Sequence, residues 1–348
     1  MPAVEATGTR TLVTGANGYI AYWIIRYLLQ QGYSVRAVVR SLAKGQHLKE
    51  TYSSFGEKLD LFVVEDITKA GAYDDAVKDV DAIIHTATAS DFTKVEPEDY
   101  IKPAVDGTIG VLESAQKFGN KIKRVIVTSS VAAVGFTSAP PTVTFDESQW
   151  NDQAVELTNT LGKEAPPMVK YSASKVLAEK AAWDFYNKLK SELQWELVTI
   201  LPSHVVGPPL QVVKGPETLN ISEWLFWDAI ANPKSDEELK GTYNYIHVQD
   251  IALAHIAALQ KEKAGGQRII VSAGASTWQE TRNLINRLKP ELHSKGILPR
   301  GNPSLETTVS FVYNVDKGKK ILGLEYADEE KVVQDALTDF EARGYFNK

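Results

Sequence analysis

The chain has 348 residues, with 38 Lys plus Arg against 44 Asp plus Glu, for a net charge of -6 at pH 7. Its 43% apolar and 24% charged content is that of an ordinary globular protein, not a disordered or fibrous chain. The acidic balance argues against a nucleic-acid binder; the lack of cysteine excludes disulfides, thiolate metal sites and a Cys nucleophile; and no apolar run approaches the roughly 18 residues of a membrane span.

The first nine residues carry Glu5 and no apolar stretch, so no secretory signal is expected and a cytoplasmic protein is. Arg10–Thr14 is a β-rich run. Tyr19, Ile20, Trp23, Ile24, Tyr27 and Leu28 then repeat with helical spacing up to Gly32. Further β-rich runs follow at Ser34–Val39, Leu59–Val64, Ala82–His85, Arg124–Thr128 and Leu197–Leu201. Several lack strict alternation, as strands buried on both faces do, and helical patterns separate them. This alternation predicts an α/β fold, a Rossmann-type doubly wound parallel sheet. After Pro202 the pattern loosens through Gly207-Pro208-Pro209 and Gly215-Pro216. A helical stretch at Ser222–Ala231, a break at Asn232-Pro233, a strand-like run at Gln267–Ser272 and an amphipathic stretch near Glu329–Arg343 complete the chain. The expected division is a nucleotide-binding domain of residues 1–202 plus 241–274 and a smaller substrate-binding domain of residues 203–240 plus 275–348.

Thr14-Gly15-Ala16-Asn17-Gly18-Tyr19-Ile20-Ala21 joins the first strand to the first helix. Gly15 permits the tight turn, Gly18 lets backbone approach a pyrophosphate, and Ala21 is small enough for close helix–strand packing. The helix N-terminus then offers amides and a positive dipole end to phosphates. A dinucleotide is the expected ligand. The second strand ends Val38-Val39-Arg40-Ser41-Leu42-Ala43-Lys44, without the carboxylate that would bind the ribose hydroxyls of NAD. Arg40, with Lys44 one turn on, suits a 2′-phosphate, so NADPH is the expected cofactor. Asp66, at the end of the third strand, is a candidate acceptor for the adenine amine.

Three of the 14 tyrosines begin a Tyr-x-x-x-Lys spacing: Tyr171/Lys175, Tyr186/Lys190 and Tyr313/Lys317. Only Tyr171 follows a Ser-rich strand end, Thr128-Ser129-Ser130, and precedes a buried strand ending in Pro202. The other two read as surface pairs. Residues i and i+4 share a helix face, so Lys175 can stand beside the Tyr171 phenol. An ammonium there, with an oxidised nicotinamide, favours phenolate and lowers the phenol pKa. Ser130 is placed to hydrogen-bond a substrate oxygen.

These motifs, with Pro202-Ser203-His204-Val205-Val206-Gly207-Pro208 and Ile101-Lys102-Pro103-Ala104-Val105-Asp106-Gly107-Thr108, resemble the extended short-chain dehydrogenases/reductases over nearly the whole chain. Within them the chain is most similar to fungal NADPH-dependent aldehyde/ketone reductases, relatives of plant dihydroflavonol reductases. The resemblance implies Ser130, Tyr171 and Lys175 as the catalytic triad. It implies Gly15, Ala16, Asn17, Gly18, Tyr19, Ile20, Arg40, Lys44, Asp66, Ile67, Tyr171, Lys175, Pro202, Val205 and Ser222 as cofactor contacts. Ala104 stands where many relatives carry a proton-relay Asn, so that relay is either missing or supplied by water. Met168-Val169-Lys170-Tyr171-Ser172-Ala173 lacks the Asn-Trp-Tyr-Cys segment of cinnamoyl-CoA reductases, which counts against an acyl-CoA substrate.

Phe92, Ser130, Val169, His204 and Trp227 are the candidate substrate contacts, with Tyr243 a further one. None of the six histidines forms a spaced cluster, so no metal is expected, and His85 reads as a packed residue. The expected reaction is NADPH-dependent reduction of a small aldehyde or ketone by a monomer or homodimer, with no nucleic-acid or membrane partner. A nucleotide-sugar epimerase or dehydratase, and a non-catalytic NADPH-binding protein, are the alternatives on the same scaffold.

Overall fold

The computed structural model describes residues 3–88, 92–137 and 141–347. Its strands are β1 (Arg10–Thr14), β2 (Ser34–Val39), β3 (Leu59–Val63), β4 (Ala82–His85), β5 (Arg124–Thr128), β6 (Val143–Phe145), β7 (Glu196–Pro202), β8 (His204–Val206), β9 (Thr242–His247), β10 (Gln267–Val271), β11 (Gly274–Thr277) and β12 (Phe311–Tyr313). The helices are α1 (Tyr19–Gln30), α2 (Leu42–Thr51), α3 (Glu98–Phe118), α4 (Asp152–Leu161), α5 (Pro167–Leu189), α6 (Ile221–Ala231), α7 (Asp236–Leu239), α8 (Val248–Gln260), α9 (Trp278–Leu288), α10 (Pro290–Ser294), α11 (Asp316–Leu322) and α12 (Glu329–Ala342).

Seven strands form one parallel sheet in the order β3-β2-β1-β4-β5-β7-β10. Successive side chains of a strand point to opposite faces, and the core divides accordingly. Val13, Ile84 and Ile126 pack with Ile24 and Leu28 of α1 and Ile251 and Ile256 of α8. Leu12, Ile83 and Val125 pack with Val111 and Leu112 of α3 and Ala182 and Tyr186 of α5. Both faces of the central strands are thus covered, which is why their sequences read as continuous apolar runs. The strand order reverses direction between β1 and β4, and a crevice opens there at the strands' C-terminal ends.

Two small sheets stand beside this layer. β8 pairs parallel to β9, and β11 antiparallel to β9. β12 pairs parallel to β6. A separate apolar cluster joins Val206, Tyr243 and Tyr245 to Phe226 of α6, Ile285 of α9 and Leu337 of α12. Among the described residues, no helix is long and apolar enough to cross a membrane, and no group of His, Asp and Glu could hold a metal ion.

Candidate active site

A cleft of about 1650 Å³ runs along the C-terminal ends of the sheet, from the glycine turn to β9 and β12. At one end Gly15 has φ +62°, and a Cβ there would lie 2.9 Å from the Ala87 backbone. Only glycine fits both constraints. Helix α1 starts at Gly18 with no side-chain cap and no acidic residue in its first turn. Its first helical bond is Tyr22 N–H to Gly18 O, so the amides of Tyr19, Ile20 and Ala21 precede that ladder. This end of the cleft fits a pyrophosphate: it combines backbone donors, a positive helix end and close approach.

Gly15, Asn17, Gly18, Tyr19, Ile20, Arg40, Asp66, Ile67, Pro202, Val205 and Ser222 all line the cleft. Arg40 is exposed at the end of β2 and makes no ion pair or hydrogen bond among the described residues. Ile67 packs against Gly107, where a Cβ would come within 2.9 Å. The Asp66 carboxylate accepts bonds from the Thr68 amide (2.9 Å) and hydroxyl (2.7 Å), which hold it below the usual carboxylate range. The Ser222 hydroxyl donates to Asn220 Oδ1 at 2.8 Å.

Two expected cofactor contacts lie outside the cleft wall. Ala16 is fully buried, and its amide donates to Val38 O at 3.0 Å, so it is already committed to the turn. Lys44 is exposed on α2, whose inward face is formed by Gly45 and Leu48.

Ser130, Tyr171 and Lys175 converge at the centre of the cleft. Tyr171 and Lys175 share one face of α5, with the lysine Nζ 5.9 Å from the phenol ring centroid. Lys175 is 6% exposed, and its ammonium reaches the Thr128 carbonyl at 3.4 Å. Burial pulls it down to about 8, against a smaller upward pull from the Glu179 charge. The Ser130 hydroxyl oxygen accepts from the Ala132 amide at 3.1 Å. Burial pushes the Tyr171 phenol above its ordinary value and outweighs the lowering effect of the nearby Ser130 hydroxyl. Ala104, on α3, is buried.

Phe92 faces Tyr171 with ring centroids 5.3 Å apart. His204 and Tyr243 also line the cleft, and Tyr243 is stacked flat on Trp278 at 4.0 Å. Burial holds the His204 imidazole down to about 4, so it is neutral, and its Nε2 lies 2.8 Å from the Ser222 carbonyl. A carbonyl can only accept, so Nε2 is the protonated nitrogen.

Val169 and Trp227 do not reach this wall. On α5 the face carrying Tyr171 and Lys175 places Met168 in the cleft, and Val169 lies two positions before Tyr171, on another face. On α6 the cleft side is Ile221, Ser222 and Leu225, and the Trp227 ring instead packs on Phe340 (5.1 Å) and Tyr345 (5.3 Å). The other two Tyr-Lys spacings are not surface pairs. Tyr186 is buried and stacked on Trp195. Tyr313 is buried, borders the cleft and donates to Gly135 O at 2.7 Å. His85 is packed as expected, with Nδ1 2.9 Å from Thr14 Oγ1, and burial drives it down to about 3. Phe136, Leu225 and Gln153 line the cleft without having been singled out in the sequence, because nothing local marks them.

A strand-ending glycine turn, a basic residue closing β2 and a Ser-Tyr-Lys group gathered in one cleft define a nucleotide-dependent enzyme of the extended short-chain type. Residues 11–274 match the model of the NAD dependent epimerase/dehydratase family, and the chain belongs to that family. It is 33% identical to the NADPH-dependent methylglyoxal reductase of Saccharomyces cerevisiae, over 95% of this chain and 98% of that protein. It is 34% identical to a ketoreductase of Aspergillus niger, over 94% of this chain and 96% of that one. The crystal structure of yeast methylglyoxal/isovaleraldehyde reductase complexed with NADPH superposes with a TM-score of 0.86 at 32% identity, covering 97% of this chain and 100% of that chain.

Proposed function

We propose that this protein is an NADPH-dependent carbonyl reductase that converts aldehydes and ketones to alcohols. The observation that carries the reading is the meeting of Ser130, Tyr171 and Lys175 in the cleft that begins at the glycine turn. Full-length similarity to proteins named as NADPH-dependent and keto-reductases supports it.

NADPH, when bound, supplies the hydride to the carbonyl carbon. The glycine turn and the α1 amides would hold its pyrophosphate, and Arg40 would pair with its 2′-phosphate. Tyr171 keeps its proton at neutral pH, because burial raises its pKa, and delivers it to the carbonyl oxygen. Ser130 donates its hydroxyl proton to the same oxygen and fixes its position. Lys175 favours the phenolate left after the transfer. Phe92, His204 and Tyr243 form walls around the substrate. Arg40, without a carboxylate beside it at the end of β2, favours NADPH over the tightly held NAD of a nucleotide-sugar epimerase.

The division into 1–202 plus 241–274 and 203–240 plus 275–348 belongs to this reading, with the β8-β9-β11 sheet as the seam between the lobes. So do a cytoplasmic setting, a monomeric or homodimeric state and a small-molecule substrate without nucleic acid. The test is incubation with NADPH and isovaleraldehyde, α-dicarbonyls, β-keto esters or aryl ketones, following NADPH absorbance and the alcohol formed. A protein that retains NAD through gel filtration and consumes no NADPH with any of these compounds refutes the proposal.

A further inference from the structure

Glu179 is a buried carboxylate, 1% exposed, that the chemistry above leaves unused. It lies on α5 one turn beyond Lys175. Its Oε2 accepts from the Ser129 hydroxyl at 2.7 Å. Its Oε1 accepts from the Thr199 hydroxyl at 2.7 Å and from Arg268 Nε at 2.9 Å. Arg268 is fixed in turn: its guanidinium lies 3.7 Å over the Trp150 ring and donates to the carbonyls of Glu147 and Gln149 at 2.8 and 2.6 Å. It also reaches the Ala133 carbonyl at 3.4 Å, in the turn that starts at Ser130.

One carboxylate is therefore tied to the residue before Ser130, through Arg268 to the turn after Ser130, and by charge to Lys175. The groups facing Lys175 are Tyr171 and Glu179 on its own helix, His85 on β4 and the Thr128 carbonyl on β5. His85 is neutral, so Glu179 is the anion of that set. A buried Glu–Arg pair is by itself weak evidence for stability, because desolvation offsets the attraction. The placement beside two members of the triad gives the charge another use.

Resting on the reductase reading, we propose that Glu179 is a positioning residue: through Ser129 and Arg268 it fixes the backbone that carries Ser130, and from one turn beyond Lys175 on α5 its carboxylate offsets the buried lysine's charge.

The test compares the full-length wild type with Glu179→Gln, Glu179→Asp and Ser129→Ala. It reads kcat against pH with NADPH and isovaleraldehyde, the melting temperature, and the ¹³Cε shift of Lys175, assigned by its loss in Lys175→Arg. In Glu179→Gln the Lys175 midpoint and the alkaline limb of kcat should both move down by about 1 pH unit, as loss of a nearby opposite charge requires. Glu179→Asp keeps the charge and should keep the wild-type midpoint, even with a lower melting temperature. Ser129→Ala leaves the Glu179 side chain and its Arg268 partner in place, and should lower kcat with the midpoint unchanged.

A folded Glu179→Gln protein with an unmoved Lys175 midpoint overturns the proposal. So do equal midpoint shifts in Gln and Asp. Where Glu179→Gln does not fold, Ser129→Ala decides, and an unchanged kcat overturns the proposal. If the wild type reduces no carbonyl compound, the reductase reading fails, while the NMR titration still decides the coupling of Glu179 to Lys175.

Discussion

Arg40→Ala isolates the contribution of one charge to cofactor choice. Arg40 is exposed and makes no ion pair or hydrogen bond among the described residues, so its removal breaks no internal bond. The loss should fall on binding and leave folding stability unchanged. A hydrogen bond to a charged group contributes about 1.5–3 kcal/mol, and each 1.4 kcal/mol is about tenfold in affinity. Solvent screening at an exposed site argues for the lower end of that range. NADPH should bind about tenfold more weakly to Arg40→Ala, and the loss should shrink as salt is raised, because the contact is a screened ion pair. NADH lacks the 2′-phosphate and should bind with unchanged affinity. Titration of nicotinamide fluorescence with each cofactor, at low and moderate salt, measures both. Equal losses for NADPH and NADH, or a loss independent of salt, would refute the assignment of Arg40 to the 2′-phosphate.

Three other variants test the remaining parts of the site. Lys175 is buried with its pKa pulled from 10.5 to about 8, so the folded state binds its proton less readily than the unfolded chain. The resulting penalty is about 3 kcal/mol below pH 8 and is released as pH rises from about 8 to about 10.5. Lys175→Met should therefore abolish reduction yet raise stability in urea at pH 7, with a gain that shrinks across that window; a variant destabilised at pH 7 contradicts this. Trp227→Ala should cost about 3 kcal/mol of stability, because its ring packs on Phe340 and Tyr345, while leaving the KM for small aldehydes unchanged in the folded fraction. Gly15→Ala, at φ +62° and with its Cβ 2.9 Å from Ala87 Cα, should lose at least about 1 kcal/mol of stability and most NADPH affinity; a variant that binds NADPH as the wild type does would show that the turn does not cradle phosphate.

The central strands of the parallel sheet were legible because burial on both faces leaves an apolar run that needs no partner to be recognised, and the outer ones because their β-rich runs alternate with helical patterns. Val143–Phe145, His204–Val206 and Phe311–Tyr313 are three residues each, and they are strands only because a distant segment lies beside them. Thr242–His247 mixes Asn and Tyr, and Gly274–Thr277 has only small residues, so neither stands out from its surroundings. The site divides in the same way. Tyr171 and Lys175 were readable from spacing on one helix, and Gly15, Gly18 and Arg40 from their place in a strand–turn–helix unit. Val169 and Trp227 lie off the cleft wall because a helix's phase against the rest of the fold is set by packing: Phe340 and Tyr345, over a hundred residues later, decide where Trp227 points. The raised phenol of Tyr171 was not readable either, since desolvation depends on what encloses the ring.

The most direct measurement is single-turnover mixing of NADPH deuterated at the transferring position with isovaleraldehyde, for wild type and Tyr171→Phe. The wild type should yield alcohol carrying one deuterium, while the variant should still bind NADPH measurably and transfer deuterium slower by about 10²–10⁴-fold, the usual contribution of a placed proton donor. Deuterium transfer at the wild-type rate by Tyr171→Phe would contradict the account.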